Sequence, residues 1–339
     1  MYVDEPSANL GKVVKDWEKC GLRAEPFKKV RYFFPYRNDQ KKHYANTWCK
    51  TEILEKRMAS EIASNYIYTF QHDKEKIDLL FSNIDDPAMT IDSILNEIVN
   101  GTQFDSVTDW RSLFDRVNQF SQKGQTQQAI LVQSWKRFSR LISTVLNESK
   151  SGVFQDSASE TAEKRHVQLS DCVEGIDSGD TFVIDIANLP DVEKCLVFGD
   201  VLRTLYKMKT EGQGNCPERI MVFVDELNKY APESIKNSPI IRDLIEITER
   251  GRSLGLILFA AEQFRSGVHA RVKGNCATNV YGRTNAIEIA SSDYRFIPKT
   301  YTNMMTRLRK GHLIIQHPIF RSLLKVVFPE PAYDQPQPK

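Results

Sequence analysis

The run Ile220-Met221-Val222-Phe223-Val224 constrains this chain more than any other stretch, because it ends abruptly in two adjacent carboxylates, Asp225 and Glu226. Apolar residues in succession, mostly β-branched or aromatic and shortly after Pro217, read as a strand buried on both faces. Such strands belong to parallel sheets covered by helices. Two acids at the carboxyl end of such a strand stand where open α/β sheets bind ligands. Taken alone, the pattern fits a ligand site and a solvated acidic turn equally well.

Further signals lie downstream. Arg250-Gly251-Arg252-Ser253-Leu254-Gly255 leads into a second apolar run, Leu256-Ile257-Leu258-Phe259-Ala260-Ala261, which again ends in polar groups, Glu262 and Gln263. The wording Val224-Asp225-Glu226-Leu227-Asn228-Lys229-Tyr230-Ala231-Pro232 is distinctive. So is Leu308-Arg309-Lys310-Gly311-His312-Leu313-Ile314-Ile315, followed by Val327-Phe328-Pro329-Glu330-Pro331. In combination these segments resemble the HerA/FtsK branch of ring-forming P-loop ATPases, most closely HerA-like proteins. The likeness covers the second half of the chain well and the first half loosely.

One departure from that family is large. A P-loop has the form G-x-x-x-x-G-K-[ST], whose backbone N–H groups and lysine cradle phosphates. No such string occurs here. The nearest candidate is Gly11-Lys12, but Val13 follows it and Pro6 stands where the first glycine belongs. The opening Met1-Tyr2-Val3-Asp4-Glu5-Pro6 resembles the segment after the second core strand of HerA-like proteins. The expectation is therefore a chain that starts after the P-loop. Truncation and divergence both remain open as reasons.

At 339 residues the chain is long enough for two units. It has no apolar run of about 18 residues to span a membrane. Its start lacks the basic-then-apolar pattern of a secretory signal, so a cytoplasmic protein is expected. The net charge is only +2, so any nucleic-acid contact has to come from a local basic strip. The six cysteines form no C-x-x-C pair and read as reduced thiols rather than metal ligands. The six histidines include no H-x-x-x-H pair, and His312 and His317, flanking a strand, read as structural.

Three regions are expected. Residues 1-50 form the N-terminal part of the ATPase core, with a short helix around Val14 and Trp17 and a strand Val30–Phe34 stopped by Pro35. Residues 51-150 read as an all-helical insertion. Ile91, Leu95, Ile98 and Val99 follow a helical period behind a Thr90 N-cap. Val107, Trp110, Leu113, Phe114 and Val117 repeat it behind Asp105 or Ser106, and 127-146 repeats it again. Aromatic residues at this spacing read as core rather than as a nucleic-acid surface. Residues 151-165 form a polar linker, 166-330 the C-terminal part of the core, and 331-339 a proline-rich flexible tail. The alternation of strands and helices after His166 predicts an α/β fold with a RecA-like, mostly parallel sheet flanked by helices.

The resemblance implies roles. Asp225 would hold Mg²⁺ through water, and Glu226 would orient and deprotonate the water that attacks ATP. Arg252, and less directly Arg250, would act as an arginine finger on a neighbouring subunit's nucleotide, because a guanidinium stays charged and grips phosphate bidentately. The plainer reading places these arginines at a helix C-terminus, with Gly251 as its cap. Gln263, at the end of the next strand, would sense the γ-phosphate or position water. Arg265, His269, Arg271 and Lys273, in a loop hinged by Gly267 and Gly274, would face the pore of a hexameric ring and contact double-stranded DNA, or form an ordinary solvated loop. The implied protein is a DNA translocase working with a nuclease in DNA repair or with an effector in antiviral defence. A catalytically inactive ring scaffold that docks an effector is the alternative, and a conjugative or packaging motor is a third.

Overall fold

The computed structural model describes residues 3–5, 10–37, 45–86, 88–122, 130–147, 152–156, 166–212, 216–236 and 238–332. Its sheet is mostly parallel and flanked by helices, as expected. Four parallel strands lie in the order β3-β2-β1-β4, where β1 is Val30–Pro35, β2 Ala63–Ile67, β3 His166–Gln168 and β4 Thr181–Ile184. Two further parallel strands, β5 (Ile220–Val224) and β6 (Leu256–Ala260), pair from Ile220↔Leu256 to Val224↔Ala260. A closing antiparallel sheet, β7-β8-β9, is built from Asn279–Tyr281, His312–Gln316 and Leu324–Val327.

The 21-residue helix Asp191–Glu211 connects β4 to β5 and is buried almost all round. Cys195, Leu196, Leu202 and Leu205 belong to the same continuous core as Phe33 and Tyr66 of the first sheet and Ile220, Val224 and Leu256 of the second. Burying apolar side chains on several faces at once is the dominant favourable term in such a core. The helix Pro239–Leu254 returns the chain from β5 to the start of β6. Ser238 caps it, accepting from the Ile241 amide at 3.3 Å. Its C-cap is Gly255 at φ +73°, not Gly251, which lies inside the helix and is buried. Gly251 fits there because a Cβ would come within 2.8 Å of the Leu256 carbonyl oxygen.

Several expectations are corrected. β5 is covered on one face only. Ile220 and Val224 are buried, whereas Met221 and Phe223 are 59% and 73% exposed, and Phe223 stacks on the exposed Phe259 of β6 with ring centroids 4.7 Å apart. The region 51-150 is not all-helical, because β2 lies within it and every residue of that strand is buried. Its longer α-helices are Thr51–Ala59, Thr90–Asn100, Trp110–Phe120 and Val132–Asn147. Thr90 is the first helical residue rather than the cap; the Asp86 carboxylate instead accepts from the Ile91 amide at 2.5 Å. Asp109, not Asp105 or Ser106, caps the next helix in a reciprocal capping box with Ser112. The aromatic residues at helical spacing are core: Trp110, Trp135 and Phe138 are all buried. Most of the expected linker, 157–165, lies outside the described residues, as does 333–339 of the tail. The part at 152–156 is packed, with Val153 fully buried and its carbonyl accepting from the Tyr68 amide at 2.8 Å.

A polar cluster underlies the first sheet. Lys76 bridges Asp73 at 2.9 Å and the buried Asp200 at 2.7 Å, and Tyr68 donates to Asp200 at 3.1 Å. His72 extends it, with Nδ1 2.9 Å from Asp73 and Nε2 3.0 Å from Asp171. The hydrogen bond with Asp73 raises the His72 pKa above its ordinary 6.5. A raised folded-state pKa adds stability that is complete below the unfolded value and is lost as pH rises through the folded one. His72→Gln is therefore expected to destabilise more at about pH 5 than at about pH 8.5, read from urea midpoints at the two pH values. At Gly255 a Cβ would lie 2.1 Å from the Glu218 carbonyl oxygen, on top of the left-handed backbone. Gly255→Ala should cost about 1–3 kcal/mol in equilibrium unfolding.

Candidate functional site

The ends of β5 and β6 are laced together. The Ala261 amide donates to the Val224 carbonyl at 2.9 Å, and the Leu227 amide donates to the Ala261 carbonyl at 3.1 Å. This lacing sets Asp225 and Glu226 beside Glu262 and Gln263 at the carboxyl crest of two parallel strands. Asp225 and Gln263 are exposed and Glu226 is half-buried. The chain turns sharply here: Glu226 has φ +57° and ψ +53°, a left-handed conformation uncommon for a residue with a side chain. Asp225 Oδ1 accepts from the Glu226 amide at 3.0 Å and braces that turn. Buried Leu227 and Tyr230 anchor the following 3₁₀ turn, Leu227–Lys229.

Two crest residues escape the sequence pattern. Lys229, one helical turn after Glu226, forms an ion pair with its carboxylate. Its pKa is raised, first by that hydrogen bond and also by the negative charges of Asp191 and Asp225. Asp191, from the start of the long core helix, thus belongs to the same electrostatic neighbourhood. The spacing from Glu226 to Lys229 is a signal that could reveal the pair; the approach of Asp191 is tertiary. On the β6 side, burial pushes the Glu262 carboxyl up, opposed by the positive charges of Arg265 and Lys273.

The arginines stand elsewhere. Arg252 is exposed in the last turn before Gly255, so it lies at the amino end of β6, whereas Gln263 follows the carboxyl end. Five strand residues separate the two ends by about 16 Å. Arg252 makes no side-chain hydrogen bond or ion pair among the described residues. Arg250 pairs with Glu246 at 3.5 Å and donates to Tyr206 at 3.4 Å. Within one chain, neither arginine reaches the Asp225–Glu226 crest.

The segment carrying Arg265, His269, Arg271 and Lys273 is mostly helical rather than a plain loop, with a 3₁₀ turn at Arg265–Gly267 and a helix at Ala270–Asn275. Arg265 donates to Asn279 at 2.6 Å, Arg271 to Glu249 at 2.9 Å and Lys273 to Asp293 at 3.0 Å. The Lys273 side chain is only 12% exposed. These cations are already engaged within the chain.

Mg²⁺ is bound through one or two carboxylates with water and substrate phosphates completing its shell. Asp225 fits that demand, since it is exposed and only its Oδ1 is engaged, by the neighbouring amide. No group of three or more His, Cys, Asp or Glu suited to a metal occurs among the described residues, so this would not be an all-protein metal cage. ATP is a poorer match, because the sequence holds no glycine-rich lysine loop to cradle its phosphates.

No family model matches this sequence, and no curated protein matches it. Solved structures do. The bacterial conjugative coupling protein TrwBdeltaN70, in a trigonal form with sulphate, aligns over 97% of this chain and 86% of its own, at 12% identity and a TM-score of 0.54. Plasmid coupling protein TrwB in complex with ADP and Mg²⁺ aligns over 91% and 77%, at 13% identity and a TM-score of 0.47. The genome packaging NTPase B204 from Sulfolobus turreted icosahedral virus 2, in complex with ATP-gammaS, aligns over 47% and 70%, at 19% identity and a TM-score of 0.34. The first of these establishes the fold alone: an α/β architecture with a RecA-like, mostly parallel sheet flanked by helices.

The Glu226–Lys229 pair is more than a third exposed on both sides. Exposed pairs contribute little to stability. Glu226→Gln and Asp225→Asn are each expected to shift the unfolding free energy by less than about 1 kcal/mol in urea titrations, which leaves these variants usable as folded probes.

Proposed function

We propose that this chain is the larger part of a HerA-like ring ATPase that couples ATP hydrolysis to movement along double-stranded DNA. The reading rests on one observation above all. Asp225, Glu226 and Gln263 share a crest, while Arg252 lies at the far end of the same strand, so a complete set of groups requires a second copy of the chain. A homo-oligomeric ring, with six subunits borrowed from the family, meets that requirement. No helix among the described residues is long and apolar enough to cross a membrane, so nothing there assigns a role within the bilayer.

In this reading Asp225 would hold Mg²⁺ and Glu226 would orient a water molecule, with the Lys229 ion pair holding the Glu226 carboxylate in place. Gln263 stands beside them as a neutral donor. Bound ATP would supply the phosphates on which these groups act. The chain carries no phosphate loop of the required form, so these residues complete no hydrolytic step by themselves. For Arg265, Arg271 and Lys273 to grip DNA, their bonds to Asn279, Glu249 and Asp293 would have to exchange for phosphates, and His269 lies on the same segment. A nuclease or an antiviral effector is the partner this family reading carries.

The absent phosphate loop favours a second reading, an inactive ring scaffold that docks an effector. The two separate in one experiment. Alone, the purified chain should turn over ATP no faster than its Glu226→Gln variant. In a ring assembly that includes a G-x-x-x-x-G-K-[ST] segment, Glu226→Gln should lower kcat by about 10²–10⁴-fold. Assemblies mixed from Glu226→Gln and Arg252→Ala subunits should regain part of the activity that each variant lacks, through sites that combine an intact Glu226 with a neighbour's intact Arg252. A scaffold predicts normal assembly and no activity change in any of these variants.

A further inference from the structure

The strongest unassigned feature lies away from the crest, where β7 ends and β8 begins. The two strands are antiparallel, with Tyr281 opposite Ile314, so the residues after β7 meet the residues before β8. The Thr284 amide donates to the Met305 carbonyl at 3.2 Å, tying the loop after β7 to the end of the helix Lys299–Met305. An open cavity of about 580 Å³ forms there, lined by Arg283, Arg307, Arg309, Lys310 and His312 among others.

The local fold forces these cations outward. Leu308 is buried in a small core with Tyr281, Tyr294, Ile297, Met305 and Ile314. The residues on either side of it, Arg307 and Arg309, are therefore turned to solvent, and Lys310 and Arg283 are exposed with them. Gly311 makes the turn into β8 at φ +79°. No Asp or Glu lines the cavity. Arg283, Arg307, Arg309 and Lys310 make no side-chain hydrogen bond or ion pair among the described residues. The contrast with Arg265, Arg271 and Lys273, each held by a partner of its own, is direct.

Four unpartnered cations around one cavity set up a field that attracts an anion of several charges. The lining also limits what that anion is. It offers no Phe, Tyr or Trp to stack a base and no carboxylate to hold a ribose hydroxyl, so it suits phosphates and little else. We propose that the cavity bounded by Arg283, Arg307, Arg309 and Lys310 is a phosphodiester-backbone contact for nucleic acid. It reads charge rather than sequence, and it is the main DNA-gripping surface of this chain in place of the Arg265–Lys273 segment. This deepens the DNA-handling reading above and rests on it.

The test is a salt series of fluorescence-anisotropy titrations with a random-sequence DNA duplex, between about 50 and 200 mM salt. The wild-type chain is compared with a variant carrying Arg283→Gln, Arg307→Gln, Arg309→Gln and Lys310→Gln. We expect the low-salt affinity of the variant to fall at least ~10-fold, and the slope of log K against log salt to shrink by about one for every phosphate the variant no longer neutralises. A variant with the wild-type slope and affinity overturns the cavity as the site and leaves the DNA-handling reading standing. A wild-type chain that binds no duplex at low salt overturns both. Should the variant fail to fold, acetylation footprinting of the wild-type chain decides instead. Duplex DNA should protect Lys310 and leave Lys273 unchanged; no protection of Lys310, or protection by inorganic triphosphate but not by duplex, overturns the proposal.

Discussion

The pairing of β5 with β6 carries the rest of the architecture. Parallel strands cannot be joined by a tight turn, so the chain must cross over between them, and here it does so through the helix Pro239–Leu254. That crossover decides the polarity of the site. Both strands end at the same crest, which gathers the carboxylates and Gln263, and the returning helix necessarily delivers Arg252 to the opposite end. The distance between Arg252 and Asp225 is thus a product of strand direction, and within one chain the two do not come together.

The core ties the crest to the rest of the fold. The helix Asp191–Glu211 is buried on nearly every side and links the first sheet to the second. The same helix brings Asp191 toward Lys229. The electrostatics of the crest are therefore tied to the packing of the core, and a disturbance of one is felt by the other.

Much of this is legible in the sequence, and the exceptions have physical causes. β5, β6 and β8 announce themselves as apolar runs bounded by polar residues or glycine. β2 does not, because Ala63-Ser64-Asn65-Tyr66-Ile67 lacks a β-branched run; it is a strand because β1 and β3 pair with it from distant parts of the chain. The uncovered face of β5 also escapes the pattern, since an apolar run announces burial but not the presence of something to cover it. The Asp86 carboxylate that meets the Ile91 amide, and the caps at Asp109 and Gly255, lie a few residues from the expected caps, because several polar or glycine residues compete there and only backbone geometry chooses among them. At the site, Asp225, Glu226 and Gln263 are legible as strand ends, and they follow the carboxyl ends of two paired parallel strands. The basic segment is legible only as charge, and charge does not reveal whether a cation is already satisfied.

Glu226 sits on backbone that favours glycine, asparagine and aspartate and penalises branching at Cβ. Its position filters substitutions twice, once by chemistry and once by torsion. Val, Ile or Thr at 226 would erase the acid and also strain the turn that aligns Asp225, so such changes would mix two kinds of damage. Asn removes the charge on a backbone it tolerates well. Random mutagenesis of this turn would therefore return polar, unbranched survivors even if the acid itself were dispensable, and tolerance measured at 226 reports the shape of the chain before it reports any reaction.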